Sequence, residues 1–166
     1  MKVFPIEICD AFFCEVDRHV DKRGFFEELY SQKAISNFEC KQINCSVSQA
    51  NIIRGLHITP FAKLVHCVQG SIFDVVADLR VDSPTYLKWF GIELTCDNRL
   101  SLYIPPNCAH GFMAKQDNTI VVYAQTDVYN SKVEKSVFFA DPKLNISWPF
   151  SKHLTISKKD FMAPLC

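Results

Sequence analysis

Short hydrophobic runs separated by turn residues fill the central part of the chain. Residues 63–79 contain two such runs around Gln69-Gly70, which predicts two strands joined by a hairpin or a tight turn. Four further runs follow, at 86–95, 100–104, 110–114 and 119–126. Turn signals that recur every ~8–12 residues are typical of an all-β sandwich or barrel.

Helical patterns are weak in this sequence. Residues 32–37 and 156–161 each predict one short helical turn, and the chain contains neither internal repeats nor a linker-like stretch. Fourteen phenylalanines and five tyrosines against five glycines favour sheet over helix. We therefore expect one domain spanning residues 1–166, an all-β jelly roll or barrel with short helical turns.

Charge and composition exclude several function classes. Eighteen basic and eighteen acidic side chains give a formal net charge of zero, which argues against binding to nucleic acid or to a membrane surface. The first thirteen residues are interrupted by Pro5, Glu7 and Asp10, so they do not predict a signal peptide. Eight cysteines without a CxxC pair are then expected to be reduced thiols of a cytoplasmic protein.

The densest group of chemically useful side chains is Arg54, His57 and Lys63. Arg54 and His57 are three residues apart and would face opposite sides of a strand, unless Gly55 forms a bulge. The pattern alone favours a structural role for His57, as a hydrogen-bonded histidine at a strand end, and His110 has the same alternative. Tyr123 and Tyr129, which have equal strand parity, are either pocket residues or core aromatics.

Nine segments occur in a characteristic order along nearly the whole chain. They are DKRGFFEELY (21–30), QINCSVS (42–48), IIRGLH (52–57), KLVHCVQGSIFDVVADLR (63–80), SPTYLKWFGIEL (83–94), YIPPNCAHGF (103–112), VVYAQTDVYN (121–130), DPKLNISWP (141–149) and ISKKDFMAPL (156–165). A single motif such as RGLH is unspecific, but the ordered set resembles the dTDP-4-dehydrorhamnose 3,5-epimerase family.

This resemblance implies a cupin-type jelly roll, assembled as a homodimer, that uses no metal and no organic cofactor. The sequence agrees, because a metal-binding cupin carries an HxH pair where this chain has His57-Ile58-Thr59. The implied substrate is a nucleotide sugar, a dTDP-4-keto-6-deoxyhexose of deoxysugar (dTDP-rhamnose type) biosynthesis. Its C3 and C5 protons are both α to the C4 carbonyl, and the family inverts both centres through an enolate.

The resemblance also implies four catalytic residues. His57 matches the base, and Asp160 matches the carboxylate that orients it, as in the logic of a catalytic triad. Lys63 matches the cation at the C4 oxygen, and Tyr123 matches the acid that returns the proton. From the residues alone, a solvated charge near the C-terminus is the favoured interpretation of Asp160, and only the family resemblance reverses it. The alternative for Lys63 is a strand-end lysine in water.

Further residues match positions that bind the substrate, namely Arg23, Phe26, Glu28, Gln42, Asn44, Arg54, His110, Tyr129 and Glu134. The first three belong to a DxRGxFxE pattern that is expected to hold the nucleotide, across the dimer. An arginine such as Arg54 suits a pyrophosphate because its guanidinium binds phosphate oxygens in bidentate fashion. Gln42, Asn44 and Glu134 have the alternative of being ordinary surface or turn residues.

One departure from the family pattern leaves alternatives open. The segment between His57 and Lys63 is shorter than is usual for the family, which places the identity of the nucleotide and the sugar in doubt. An epimerase that inverts only C3 or only C5, or that acts on another nucleotide sugar, is therefore a second hypothesis. A non-catalytic nucleotide-sugar-binding cupin is a third, against which the joint presence of a base and its orienting carboxylate argues.

Overall fold

The computed structural model describes residues 1–149 and 153–166, which form fourteen strands and one short helix. The elements are β1 Lys2–Pro5, β2 Phe12–Glu15, β3 Arg18–Asp21, β4 Gly24–Glu27, β5 Gln42–Ser48, β6 Ile52–Ile58, β7 Lys63–Gln69, β8 Ser71–Ala77, β9 Trp89–Thr95, β10 Leu100–Ile104, β11 Ala109–Ala114, β12 Thr119–Gln125, β13 Lys135–Ser136, β14 Thr155–Ile156 and α1 Lys158–Phe161.

Two six-stranded sheets carry the structure, and their facing sides bury the core. The first has the strand order β1-β2-β10-β7-β12-β5, and the second has the order β13-β6-β11-β8-β9, with β14 joined to β6. Strands β3 and β4 form a separate hairpin. Val65 and Cys67 of the first sheet belong to the same buried cluster as Ile72 and Val76 of the second. This arrangement confirms the all-β jelly-roll prediction.

The turn at Gly70 separates two strands as predicted, but these strands do not form a hairpin. β7 pairs with β10 and β12, whereas β8 pairs with β9 and β11. Gly70, with φ +76°, therefore carries the chain from one sheet to the other. The partners of β7 and β8 all come later in the chain, so the apolar runs alone do not show to which sheet each of these two strands belongs.

The two helical predictions have different outcomes. Lys158–Phe161 is helical, with the Ser157 side chain accepting a hydrogen bond from the Asp160 amide as the N-cap. The short turn expected over residues 32–37 is also formed, with the Ile35 amide donating to the Ser31 carbonyl at 3.1 Å, but it does not extend into a regular helix. These turns place Ile35 and Phe38 in a small buried cluster.

A β-bulge at Gly55 brings Arg54 and His57 to the same side. Residues His57 and Arg54 of β6 lie opposite His110 and Phe112 of β11, so three steps on one strand match two on the other. Gly55 has φ +123°, and a Cβ atom there would lie 2.6 Å from the Gly111 Cα. The bulge that the sequence allowed is thus formed, and it requires glycine.

Gly55→Ala is expected to lower the free energy of unfolding by about 2–6 kcal/mol, because backbone strain and a steric clash act together. Gly24→Ala is the matched control, since Gly24 has φ +125° with nothing within 4 Å of the added Cβ. That variant is expected to lose only the strain contribution, about 1–3 kcal/mol. Urea denaturation measures both values. Equal losses in the two variants would show that the contact with Gly111 is unimportant.

Candidate active site

A cavity of about 500 Å³ is lined by side chains of both sheets and of the C-terminal segment. The first sheet contributes Ser46, Lys63, Tyr123 and Gln125, and the second contributes Ile52, Ile53, Arg54, His57, His110 and Phe112. The remaining lining residues include Thr59, Phe61, Tyr129, Glu134, Lys159 and Asp160. The cavity therefore collects most of the residues that the sequence singled out.

His57 and Asp160 meet although 103 residues separate them. Strand β14 runs parallel to the start of β6, pairing Thr155 with Ile52, and leads directly into α1. This path brings the Asp160 Oδ1 to 2.7 Å from the His57 Nε2. The Gly55 amide, at the bulge, donates to the Asp160 Oδ2 at 3.3 Å. The bulge and the short helix therefore fix the histidine–carboxylate pair jointly.

The surroundings of Asp160 keep its carboxylate ionised. Burial alone would raise the pKa of Asp160, but the hydrogen bond and the charge of His57, together with the Gly55 amide, lower the pKa below its usual value. The side chain of Asp160 is 6% exposed and that of His57 is 25% exposed. An ionised carboxylate at Nε2 favours the tautomer that carries the proton there, which leaves Nδ1 as the basic nitrogen.

Lys63 is a buried lysine on the opposite wall of the cavity. It begins β7, is 6% exposed, and forms no ion pair with the residues in the described part of the chain. Burial lowers the pKa of its ammonium group to about 8, although the carboxylates of Glu134 and Asp74 have the smaller, opposite effect of raising this pKa. A buried cation without a close anion is available to stabilise a developing negative charge.

Tyr123 faces the cavity from the neighbouring strand β12. It lies opposite Val65 in the β7–β12 register, while Gln125 lies opposite Lys63, so the side chains of Tyr123 and Lys63 share one face. Burial raises the pKa of the Tyr123 phenol, and the Glu134 carboxylate adds to this effect. The phenol is therefore protonated at neutral pH and is able to act as an acid.

His110 is held by Asp74, a site residue that the sequence analysis missed. The His110 Nε2 lies 2.8 Å from the Asp74 Oδ1, and the Asp74 side chain is completely buried. Asp74 and Asp78 are four residues apart in the same apolar run, so they have equal strand parity, but their contacts differ. Asp78 accepts hydrogen bonds from the Arg80 guanidinium and from the Thr85 hydroxyl, and none of these three residues lines the cavity. An acidic residue inside an apolar strand was the available signal for Asp74.

Arg54 and Tyr129 stand at the edge of the cavity. The guanidinium of Arg54 is held by the Ser48 hydroxyl and the Val47 carbonyl, each at 3.0 Å. Tyr129 is 47% exposed, and its backbone amide donates to the Gln42 Oε1 at 2.8 Å. Both side chains are accessible to a ligand that enters from solvent.

Gln42 and Asn44 do not line the cavity themselves. The Gln42 Nε2 donates to the Asn44 Oδ1 at 2.6 Å, and the Asn44 Nδ2 donates to the Gln125 Oε1 at 3.2 Å. Gln125 is buried and does line the cavity. These two residues therefore support a cavity-lining side chain in this chain, rather than contributing to the wall directly.

The three residues of the DxRGxFxE pattern lie away from the cavity of their own chain. Arg23 and Phe26 belong to the β3–β4 hairpin, and Glu28 follows it. Phe26 is 67% exposed, and the Arg23 Nη2 lies 2.6 Å from the Asp21 Oδ2. None of these three residues lines the cavity of its own chain.

No three His, Cys, Asp or Glu side chains are grouped as metal ligands within residues 1–149 and 153–166. In the same residues, no helix is both long and apolar enough to cross a bilayer. All eight cysteines are free thiols, and none lines the cavity. The ionisable groups that line the cavity are imidazole, carboxylate, ammonium and phenol groups, together with the guanidinium of Arg54.

Comparison with known proteins decides the family. The family model for dTDP-4-dehydrorhamnose 3,5-epimerase matches residues 5–166. The chain belongs to this epimerase family. The dTDP-4-dehydrorhamnose 3,5-epimerase of Mycobacterium tuberculosis (strain CDC 1551) is 37% identical over 175 residues, covering 99% of this chain and 87% of the relative.

Two solved structures of dTDP-sugar epimerases superpose closely on the chain. The dTDP-6-deoxy-D-glucose-3,5-epimerase of Legionella pneumophila, in complex with dTDP-4-keto-L-rhamnose, has a TM-score of 0.94 and 32% identity, covering 99% of this chain and 92% of that one. The 3'-monoepimerase ChmJ of Streptomyces bikiniensis, in complex with dTDP-quinovose, has a TM-score of 0.93 and 30% identity, with 99% and 87% covered. The chain is accordingly an isomerase of the epimerase family with a cupin-type jelly roll.

Proposed function

We propose that this protein inverts C3 and C5 of a dTDP-4-keto-6-deoxyhexose, in deoxysugar biosynthesis of the dTDP-rhamnose type, without a cofactor. The observation that carries the proposal is the arrangement of the cavity. A histidine oriented by Asp160 lies on one sheet, and a buried lysine and a protonated tyrosine lie on the other. Non-catalytic binding requires no base with an orienting carboxylate. The names of the relatives support the substrate class.

The reaction follows from these groups. The His57 Nδ1 takes a proton from the carbon next to the C4 carbonyl, and the electron pair of the broken C–H bond forms an enolate. The Lys63 ammonium stabilises the negative C4 oxygen in a site of low dielectric constant. The Tyr123 phenol then gives a proton to the opposite face of the same carbon, and the enolate electrons form the new C–H bond. Exchange with solvent restores His57 and Tyr123.

The nucleotide portion of the substrate is assigned to charged and aromatic groups at the cavity edge. Arg54 binds the diphosphate, while His110 and Tyr129 contact the sugar. Arg23, Phe26 and Glu28 of a partner protomer hold the nucleotide, which makes a homodimer the functional unit. Phe26 is exposed and does not line the cavity of its own chain, which supports this assignment.

A second candidate is inversion of a single carbon, and two observations favour it. The structure of the 3'-monoepimerase ChmJ is 30% identical with a TM-score of 0.93. The short connection between His57 and Lys63 is held by two hydrogen bonds, from the Asn107 amide to the Thr59 carbonyl at 2.8 Å and from the Ala62 amide to the Thr126 hydroxyl at 3.0 Å. It places Phe61 as a fixed part of the cavity wall.

Incubation with dTDP-4-keto-6-deoxyglucose in deuterated water distinguishes these candidates. We expect deuterium at both C3 and C5, detected by NMR spectroscopy, because both protons are acidified by the C4 carbonyl. Deuterium at one carbon would establish the single-site epimerase, and its absence from both carbons would contradict epimerase activity.

Tyr123→Phe separates proton removal from proton return. It is expected to slow inversion more than the loss of the original C–H proton, because the phenol acts only in the second step. Loss of tritium from substrate labelled at C3 measures removal, and the yield of inverted sugar measures return. Equal slowing of both steps would argue against Tyr123 as the returning acid.

A further inference from the structure

An ion pair closes the base of the β3–β4 hairpin, away from the cavity described above. Arg18 and Glu27 lie opposite each other at the open end of the hairpin, and the Arg18 Nε lies 2.7 Å from the Glu27 Oε1. Their side chains are only 17% and 9% exposed. The guanidinium also covers the Phe25 ring, with its central carbon 4.1 Å from the ring centroid. An almost buried charged pair is therefore built into two strands that are otherwise largely exposed.

The same arginine ties the hairpin to the main body of the fold. The Arg18 Nη2 donates to the carbonyl of Cys96, the residue that directly follows β9 of the second sheet. Strands β3 and β4 pair only with each other, and among the described residues no other hydrogen bond joins these strands to the rest of the chain. A two-stranded hairpin is at best marginally stable by itself in water. The orientation of this hairpin therefore depends on Arg18.

The two faces of the hairpin carry different groups. Side chains alternate along each strand, so Arg18 and Glu27 share one face with Phe25. His19 and Phe26 lie on the opposite face, with their ring centroids 6.5 Å apart. Phe26 is 67% exposed. The Arg18 contacts therefore leave the Phe26 ring free, and the guanidinium is directed away from a ligand that stacks on this ring.

We propose that Arg18 is a positioning residue for substrate binding, which fixes the orientation in which the hairpin holds Arg23 and Phe26 towards the nucleotide. The inference rests on the proposed function, in which these two residues bind the nucleotide at the cavity of a partner protomer. Without the Arg18 contacts, the hairpin must be ordered when the substrate binds, and this ordering reduces the affinity. The groups around His57 belong to the two large sheets and the C-terminal segment, so they keep their arrangement.

Steady-state kinetics with dTDP-4-keto-6-deoxyglucose test this assignment. Arg18→Met is expected to raise KM about tenfold or more and to keep kcat within about threefold of the wild type, because only binding carries the ordering cost. Arg18→Lys should restore part of the affinity, since it keeps the charge but lacks the guanidinium fork. Arg99→Met is the matched control, because Arg99 pairs with Glu15 of β2, with side chains 38% and 25% exposed. It should leave both constants unchanged.

A double-mutant cycle with Phe26→Ala separates positioning from a general loss of structure. If Arg18 acts through the hairpin, removal of the Phe26 ring costs less affinity for dTDP in the Arg18→Met background than in the wild type. Isothermal titration calorimetry with dTDP measures this affinity for the four proteins. Additive effects of the two substitutions would overturn the inference, because Arg18 would then act independently of Phe26.

Three other outcomes contradict the inference. They are an Arg18→Met variant with wild-type KM, a variant in which only kcat falls, and a variant that sediments as a monomer where the wild type is a dimer. Thermal melting verifies folding, and if Arg18→Met does not fold, Arg18→Lys carries the same test with a smaller rise in KM. A wild type that binds dTDP but does not epimerise dTDP-4-keto-6-deoxyglucose would refute the proposed function, whereas the calorimetric cycle would still test Arg18.

Discussion

His57→Ala is expected to lower kcat by about 10²–10⁴-fold, the range that general acid–base catalysis contributes. His57 lies 2.7 Å from the Asp160 carboxylate, and its side chain is 25% exposed. His110, which also contacts a carboxylate, is only 9% exposed. The wild type and the variant are compared by NMR spectroscopy of the epimerised sugar. Melting temperatures are measured as well, and a decrease is expected because the nearly buried Asp160 carboxylate loses its His57 partner.

Two companion variants make the result specific. Asp160→Asn keeps the shape of the carboxylate but removes the charge that fixes the histidine tautomer, so a large loss of kcat is also expected. His153→Ala is the control, since His153 is exposed and does not line the cavity. A His57→Ala enzyme that retains activity within tenfold of the wild type would refute the assignment of the base.

Lys63→Met is expected to abolish measurable epimerisation and, at the same time, to stabilise the protein. Burial lowers the pKa of Lys63 from 10.5 to about 8, so holding its charged form inside the protein costs on the order of 3 kcal/mol. Methionine has a similar length and carries no charge, so this cost disappears. Such an exchange of stability for activity is common where a site requires a buried charge.

The pH dependence of stability gives this prediction a definite sign. The folded-state pKa of about 8 lies below the unfolded value near 10.5, so the unfolded chain binds more protons between these limits. The Lys63 penalty is therefore fully present below pH ~8 and fades as the pH rises towards ~10.5. Urea denaturation should show Lys63→Met to be more stable than the wild type at pH 7, with a difference that shrinks at high pH.

Lys115→Met provides the comparison for Lys63→Met. The Lys115 ammonium lies 2.8 Å from a Glu93 carboxylate oxygen, and both side chains are at least one-third exposed. Exposed pairs of this kind contribute about 0–1 kcal/mol, so the variant should be slightly less stable and fully active. If Lys63→Met were destabilised by as much as or more than Lys115→Met, burial of the charged Lys63 ammonium would not lower the stability of the wild type.

Local features of the fold were predictable because their causes are local. Apolar runs bounded by turn residues marked the strands from 63 to 125, and Ser157 and its neighbours marked the C-terminal helical turn. The short turn expected over residues 32–37 is formed, while the burial of Ile35 and Phe38 beneath it depends on packing with other parts of the chain. The Gly70 turn was predicted, while the crossing between sheets depends on partners elsewhere in the chain.

The candidate site shows the same division. Lys63 and Tyr123 were identified from motifs, but the sheet register determines that they share one face. Asp74 was not identified from the sequence, since its contact with His110 joins two different strands. The pairing of Lys159 with Glu134 is likewise visible only in the folded structure.

The sequence by itself determined the strand-rich character of the chain, the glycine that permits a bulge at position 55, and a family resemblance that the comparisons confirmed. The tertiary structure alone decided which strands are neighbours and how groups 103 residues apart, such as His57 and Asp160, come within 2.7 Å. The physical reason is that backbone preference acts over a few residues. Burial, desolvation and the pairing of charges instead depend on the long-range packing of the two sheets.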